Sequence, residues 1–338
     1  MRPTMYKNCY ACKSEDVFTD EYVESWGHKT FSGLTIDICN KCGFGSVSDE
    51  PDFIDIDKYY NEVYRSQDCE MYINFQNMIP SQLDMRSHGQ FLLARNYVSS
   101  LDTLNILDVG PGPGNSFFAA KNIFPNSNIF FLEKNRNVIS LYKKYYDVKI
   151  IDDISNSNQK FDVILLSHSL EHFNKAGIDE LLITLQSSLT DTGIVVIEVP
   201  NNDFRTRIHR EGVERVNDTP HLQFFSIESL NQIFITNGYE ISFINSTGRL
   251  INTATPNNIS EIRKSWRDKH LNTKFGVGEN SIRSILKRSV KIILNKVGLK
   301  KHLHFFNEFV LKNGLCNDEF MYGGNRHAIR IIIKKQST

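Results

Sequence analysis

Residues 105–116 read Asn105-Ile106-Leu107-Asp108-Val109-Gly110-Pro111-Gly112-Pro113-Gly114-Asn115-Ser116. An apolar run ends in an acid and opens into a glycine at every second position, and Phe117, Phe118, Ala119 and Ala120 follow. This order predicts a buried strand, a tight turn and the start of a helix. Glycine suits such a turn because the missing Cβ permits positive φ and lets backbone approach a ligand, while the first N–H groups of the next helix point outward. The segment therefore predicts a nucleotide-binding turn. A dinucleotide site spaces its glycines as G-x-G-x-x-G; here the pattern is D-x-G-x-G-x-G, with the acid two residues before the first glycine.

The chain beyond the turn supplies matching pieces in order. Asn128-Ile129-Phe130-Phe131-Leu132-Glu133 is a second apolar strand ending in an acid, about 20 residues on, where a carboxylate can accept hydrogen bonds from both hydroxyls of a ribose. A third short strand over 148–151 ends at Asp152-Asp153-Ile154. A fourth, Phe161-Asp162-Val163-Ile164-Leu165-Leu166, runs into Ser167-His168-Ser169-Leu170-Glu171-His172-Phe173. Taken together, these stretches resemble the class I S-adenosylmethionine (SAM) methyltransferases, over about residues 90–248 and again at the last strand. The resemblance implies an α/β, Rossmann-like seven-stranded sheet. It also implies SAM held by Asp108, Gly110, Gly112, Gly114, Glu133, Asp153, Ile154, Ser167 and His172.

Composition sets the wider limits. With 338 residues, 40% hydrophobic and 23% charged, the chain can bury one sizeable core with smaller satellites. No apolar stretch follows Met1 as in an export signal, and no run nears the ~18 apolar residues that span a bilayer, so a cytoplasmic location is expected. Thirty-nine basic and thirty-nine acidic residues give a formal net charge of zero. Nucleic-acid binders carry a basic excess, so the expected partner is a small or nucleotide-linked substrate and not a nucleic acid.

Cys9-x-x-Cys12 and Cys39-x-x-Cys42 are two pairs separated by 26 residues. Tetrahedral thiolate coordination needs four sulfurs presented from two turns, so the spacing points to a zinc ribbon. A pair of disulfides is disfavoured without an export signal, and a redox centre needs only one such pair. Four sulfurs leave no open position for water, so the metal is expected to hold structure. Cys69 and Cys316 have no partner at metal spacing. A cysteine-ligated module ahead of a SAM-binding core resembles the methyltransferases of deoxysugar and surface-glycan biosynthesis, and residues 57–65, with Tyr59, Tyr60 and Tyr64, resemble their tyrosine-rich linker.

This reading divides the chain into a zinc ribbon (1–50), a helical linker and pocket cover (51–100), the SAM-binding core (101–248 with 325–338) and a helical insertion (249–324). Within the core, apolar positions predict helices over 82–100 and 175–189. The β-branched run over 193–199 predicts a central strand buried on both faces. Ser226 is placed as the N-cap of a helix that Gly238 ends, a sixth strand spans 239–245, and the last strand, 325–335, pairs antiparallel beside it. In the insertion, Ile282, Ile285, Leu286, Val290, Ile293 and Val297 share one helical face opposite a basic one. Residues 282–301 thus either touch a membrane surface peripherally or pack on the protein's own body.

Methyl transfer from a sulfonium depends first on alignment and second on a base that takes the acceptor's proton. Histidine titrates near neutrality, and His168, His172, His209 and His221 fall in the right part of the chain. His221-Leu222-Gln223-Phe224-Phe225-Ser226 resembles the segment that carries the proposed base of the sugar C-methyltransferases, with Asp218 and Pro220 where that family sets an assisting tyrosine and glutamate. The resemblance makes His221 the leading candidate, with His168 behind it, and leaves both C- and O-methylation of a nucleotide-activated sugar or a related glycan or natural-product precursor open. It also predicts a rate that rises with pH through an ordinary histidine pKa. Two alternatives are a zinc-ribbon RNA methyltransferase and a SAM-fold binding module without turnover.

Overall fold

The computed structural model describes residues 8–21, 34–48, 85–100, 102–112, 114–155, 157, 159–202, 221–247 and 328–336. Three short strands come first, β1 (Val17–Glu21), β2 (Thr35–Cys39) and β3 (Gly45–Val47), followed by helix α1 (Met85–Ala94). Strands and helices then alternate: β4 (Asn105–Val109), α2 (Ser116–Ile123), β5 (Asn128–Leu132), α3 (Arg136–Tyr145), β6 (Lys149–Ile151), β7 (Phe161–Ser167), α4 (Lys175–Ser188) and β8 (Leu189–Pro200). A two-residue strand β9 (Gln223–Phe224), α5 (Ile227–Thr236), β10 (Tyr239–Thr247) and β11 (Ala328–Lys335) complete the described fold.

Seven strands form one sheet in the order β10-β11-β8-β7-β4-β5-β6. β11 runs antiparallel to both neighbours and the other pairings are parallel, the Rossmann-like arrangement that the sequence predicts. Successive strand residues point to opposite faces, and the core divides accordingly. Leu107, Val109, Ile164, Leu166, Val195, Ile197, Val199, Ile329, Ile331 and Ile333 pack on one side with α4 and α5. Ile106, Val163, Leu165, Ile194, Val196 and Ile332 pack on the other with residues of α1, α2 and α3. Burying side chains of this size stabilises by about 1.5–3 kcal/mol each.

Local signals hold with small shifts of boundary. Asn174 caps α4 by accepting from the Gly177 N–H at 2.7 Å, and Ser226 and Ser229 form a reciprocal capping box at the start of α5. Leu189 is extended (φ −71°, ψ 149°) and begins β8 instead of ending the helix. The helix expected over 82–100 is regular only to Ala94, after which Asn96 and Tyr97 bond three residues back, to Leu93 and Ala94. The N-terminal strands form an antiparallel sheet β1-β2-β3-β9, whose fourth strand comes from residues 223–224. No helix among the described residues is long and apolar enough to cross a membrane.

Candidate active site

The glycine turn leaves β4 with Gly110, Gly112 and Gly114 at φ of +74°, +54° and +75°. At two of these the neighbours explain why no side chain fits. A Cβ on Gly110 would meet the Ser169 hydroxyl at 2.8 Å, and one on Gly114 would meet the Tyr146 ring at 2.7 Å. Protein, in addition to any ligand, thus enforces these two glycines. Ser169 also donates to the Val109 carbonyl (2.7 Å), and Tyr142 donates to the Gly112 carbonyl (2.8 Å). Glu133 follows β5, where its Oε1 accepts from the Asn135 N–H at 2.9 Å, and its Oε2 lies 3.5 Å from the Tyr142 hydroxyl. Asp108 is buried at the end of β4 and Ile154 is buried beyond β6. Asp153 is exposed, and hydrogen bonds from the Ser155 hydroxyl and N–H hold its carboxyl below the usual range.

A second set of polar groups lies at the ends of β7, β8 and β11. Glu198 is 3% exposed, and its Oε2 accepts from Arg330 Nε at 2.8 Å and Nη2 at 2.5 Å. Gln90 Nε2, from α1, donates to the same oxygen (3.1 Å) and to the Ser167 hydroxyl (2.8 Å). Ser167, expected at the cofactor, is therefore engaged by α1, and Ser169 is the serine that meets the glycine turn. Arg86 Nε stands 3.4 Å from Glu198 Oε1. Burial alone would raise the Glu198 carboxyl, but the charge of Arg330 and then the His168 contact hold it well below the usual carboxylate range.

His168 has φ +56°, a left-handed conformation that a non-glycine residue adopts at some cost. That backbone turn aims its ring between two acids, Nδ1 3.2 Å from Glu171 Oε1 and Nε2 3.4 Å from Glu198 Oε1. Burial would lower its pKa, but the two carboxylates outweigh this and raise it. Glu171 is 1% exposed. Burial would raise its carboxyl too, and the bond and charge of His168, with His172 and His221 nearby, bring it down to about 2.

His221 is 8% exposed. Its Nε2 lies 4.0 Å from Glu171 Oε1, and its ring packs against His172 with centroids 5.0 Å apart. Burial first, and then the charge of His172, push its pKa down to about 3, against the opposing pull of Glu171. His172 thus lies beside Glu171 and His221. A pKa of about 3 keeps the His221 ring neutral across the physiological range, so a base at this position gives no rate limb at an ordinary histidine pKa. Glu171, His172 and His221 have their ligating atoms within 4.8 Å of one another.

The four N-terminal cysteines also converge. Cys9 and Cys42 Sγ are 3.6 Å apart, as are Cys12 and Cys39 Sγ, and all four sulfurs lie within 4.8 Å of one another. Cys9, Cys39 and Cys42 are buried. The linker over 57–65, Cys69, His209, Asp218, Pro220, the basic segment 282–301 and Cys316 lie outside the described residues.

Sequence reasoning assigned no role to Gln90, Arg86, Glu198, Arg330, Glu171 or Ser169. A signal for two of them was present, since Glu198 is the one charge within 194–199 and Arg330 the one charge within 328–333, apolar runs in which a buried charge requires a partner.

The opposed shifts of Glu171 and His168 fix the pH dependence of stability. A depressed carboxyl contributes stability that is present above the unfolded pKa and lost as pH falls from 4.5 toward 2. A raised histidine contributes stability that is present below 6.5 and lost as pH climbs through its folded pKa. Glu171→Gln should therefore cost about 1–3 kcal/mol near pH 5.5 and flatten both limbs. Urea unfolding at pH 3, 5.5 and 8 reads this directly, and a variant with wild-type limbs would refute the pairing.

Residues 81–242 match the family described as Methyltransferase domain. No curated protein matches the chain by sequence. Among solved structures the chain is similar to the plantazolicin methyltransferase BpumL in complex with SAH, at 15% identity and TM-score 0.49, covering 83% of this chain and 94% of that one. It is also similar to a S-adenosylmethionine-dependent methyltransferase from Clostridium acetobutylicum, at 10% identity and TM-score 0.43, covering 79% and 98%. The glycopeptide N-methyltransferase MtfA complexed with sinefungin is similar at 10% identity and TM-score 0.42, covering 75% and 87%. The family match falls on the segment that carries the acid-tipped strands and the glycine turn, on a Rossmann-like seven-stranded sheet, and on that ground residues 81–242 carry a methyltransferase domain.

Proposed function

We propose that this methyltransferase acts on a hydroxyl or a carbon of a nucleotide-activated sugar, or of a related glycan or natural-product precursor, with His221 taking the acceptor's proton. The observation that carries the reading is the state of His221: buried, neutral at physiological pH, and 4.0 Å from a carboxylate that stays charged. SAM supplies a methyl group on a sulfonium, which passes in line to the acceptor atom. The chain's part is to align that atom and give its proton a place to go. As the proton reaches His221, Glu171 stabilises the imidazolium that forms. Within this proposal Glu171 is the carboxylate partner of the His221 imidazole. The zero net charge and the joining of a four-cysteine module to a SAM-binding core favour a small nucleotide-linked acceptor.

Glu133 is assigned to the ribose hydroxyls of SAM, since Asn135 and Tyr142 orient its two oxygens beside the glycine turn. The four cysteines are assigned to one structural zinc. Zn–S bonds of about 2.3 Å in a tetrahedron require sulfurs about 3.8 Å apart, close to the 3.6 Å of the two measured pairs.

Glu133→Ala is expected to weaken SAM binding by roughly 2–3 kcal/mol, the loss of charge-assisted hydrogen bonds. Calorimetry that finds NAD bound and SAM ignored would reject the cofactor assignment. Freshly prepared protein should contain about one zinc, released by Cys39→Ser, and metal analysis that finds none rules the ribbon out. Mass spectrometry of a nucleotide-sugar panel incubated with SAM should find one methylated member. On that acceptor His221→Ala should keep SAM affinity and lose about 10²-fold or more in kcat. The wild-type rate should be flat from pH 5 to 8 with respect to this residue, because neutral imidazole prevails above about 3. Wild-type turnover by the alanine variant would leave His221 a loop anchor.

A further inference from the structure

The segment that carries His221 is fastened to the cysteine knuckles by several independent contacts. β3 follows the Cys39 and Cys42 turn directly, and it pairs with β9 through Gly45 to Phe224 and Ser46 to Gln223. The Val47 N–H donates to the Leu222 carbonyl at 2.9 Å, and the Leu222 N–H donates to the Glu171 carbonyl at 2.9 Å. Phe44 packs on Phe225 with ring centroids 5.8 Å apart. The Ser226 hydroxyl donates to the carbonyl of Cys42 itself. Residues 222–226 are thus held between the knuckle on one side and the Glu171 turn on the other. A two-residue strand has no stability of its own, so its place is set by what it pairs with.

We propose that the four-cysteine knuckle is a positioning element of the acceptor site, which sets the ring of His221 against Glu171 and His172. The inference rests on the reading of the four sulfurs as a metal site, and it does not require His221 to be the base. Without the metal the Cys39 and Cys42 turn loses its constraint, β3 loses its register, and residues 221–226 keep only their contacts to the core. The cofactor half is supported separately, by β4, β5, Ser169 and Tyr142.

The test uses the full chain with isotope-labelled histidines, the His221 signal being assigned by comparison with His221→Ala. Zinc is removed with a chelator, its loss is confirmed by metal analysis, and it is then restored. On removal, the titration of His221 should move up toward the ordinary 6.5, as the ring loses the burial that holds it down and moves away from His172. The Leu222 and Val47 amides should exchange about tenfold faster or more. The Gly110 amide, bonded to the Leu132 carbonyl, should keep its protection, and SAM affinity should stay within about twofold of the loaded protein. Zinc should reverse the changes. Ser226→Ala, which keeps the four thiols but cuts the bond to Cys42, should move the His221 titration and Leu222 exchange in the same direction. If the metal leaves and both stay unchanged, the knuckle stabilises only its own segment and the proposal fails. If the protein as prepared holds no metal, the zinc assignment fails by itself, and unchanged His221 and Leu222 signals in Ser226→Ala then overturn the positioning role as well.

Discussion

Glu198 carries a carboxylate into the interior at the end of the central strand β8, and the arrangement around it depends on that charge being met. An uncompensated buried carboxylate costs several kcal/mol even after relaxation. Arg330 meets it from the directly opposite position on β11, with two nitrogens on one oxygen. Gln90 reaches the same oxygen from α1, while Arg86 and His168 stand near the other. A strand near the end of the chain, a helix ahead of the sheet and the turn after β7 therefore converge on one group. The antiparallel placement of β11 beside β8 does more than extend the sheet, because it brings the guanidinium that lets the acid lie there.

The histidines show how environment divides one residue type into two roles. His168, bracketed by Glu171 and Glu198, keeps its proton. His221, buried beside His172 and farther from the acid, gives its proton up. Glu171 stands between them, and the His168 contact holds its carboxyl down to about 2 against its burial. Opposed surroundings push the pKa values of these neighbouring groups apart. The left-handed backbone at His168 accompanies the placement of its ring between the two acids.

The cysteine module and the sheet meet through β9, so the N-terminal segment is not an appendage. Its fourth strand comes from the stretch that carries His221, and the cap of α5 bonds a knuckle carbonyl. The structural link therefore runs from the sulfur cluster through strand pairing to the segment that carries His221.

Most of the fold could be read from the chain because its causes are local. Apolar runs marked the strands of the large sheet, three glycines, found at positive φ, marked the turn after β4, and Ser226 and Gly238 marked the ends of one helix through bonds that span a few residues. The two C-x-x-C pairs revealed the sulfur cluster because ligand geometry dictates spacing. Other features depended on register between distant segments, which no local pattern encodes. The pairing of Glu198 with Arg330 spans 132 residues and follows from how β11 lies on β8. The place of β9 in the ribbon sheet, the reach of Ser169 to the glycine turn and the turn of Ser167 toward α1 arise in the same way. Residue type and position nominated the histidines, but the protonation of His168 and His221 was decided only by the acids and the burial that tertiary packing placed around them, because a pKa is set by solvation and neighbouring charge and not by sequence distance.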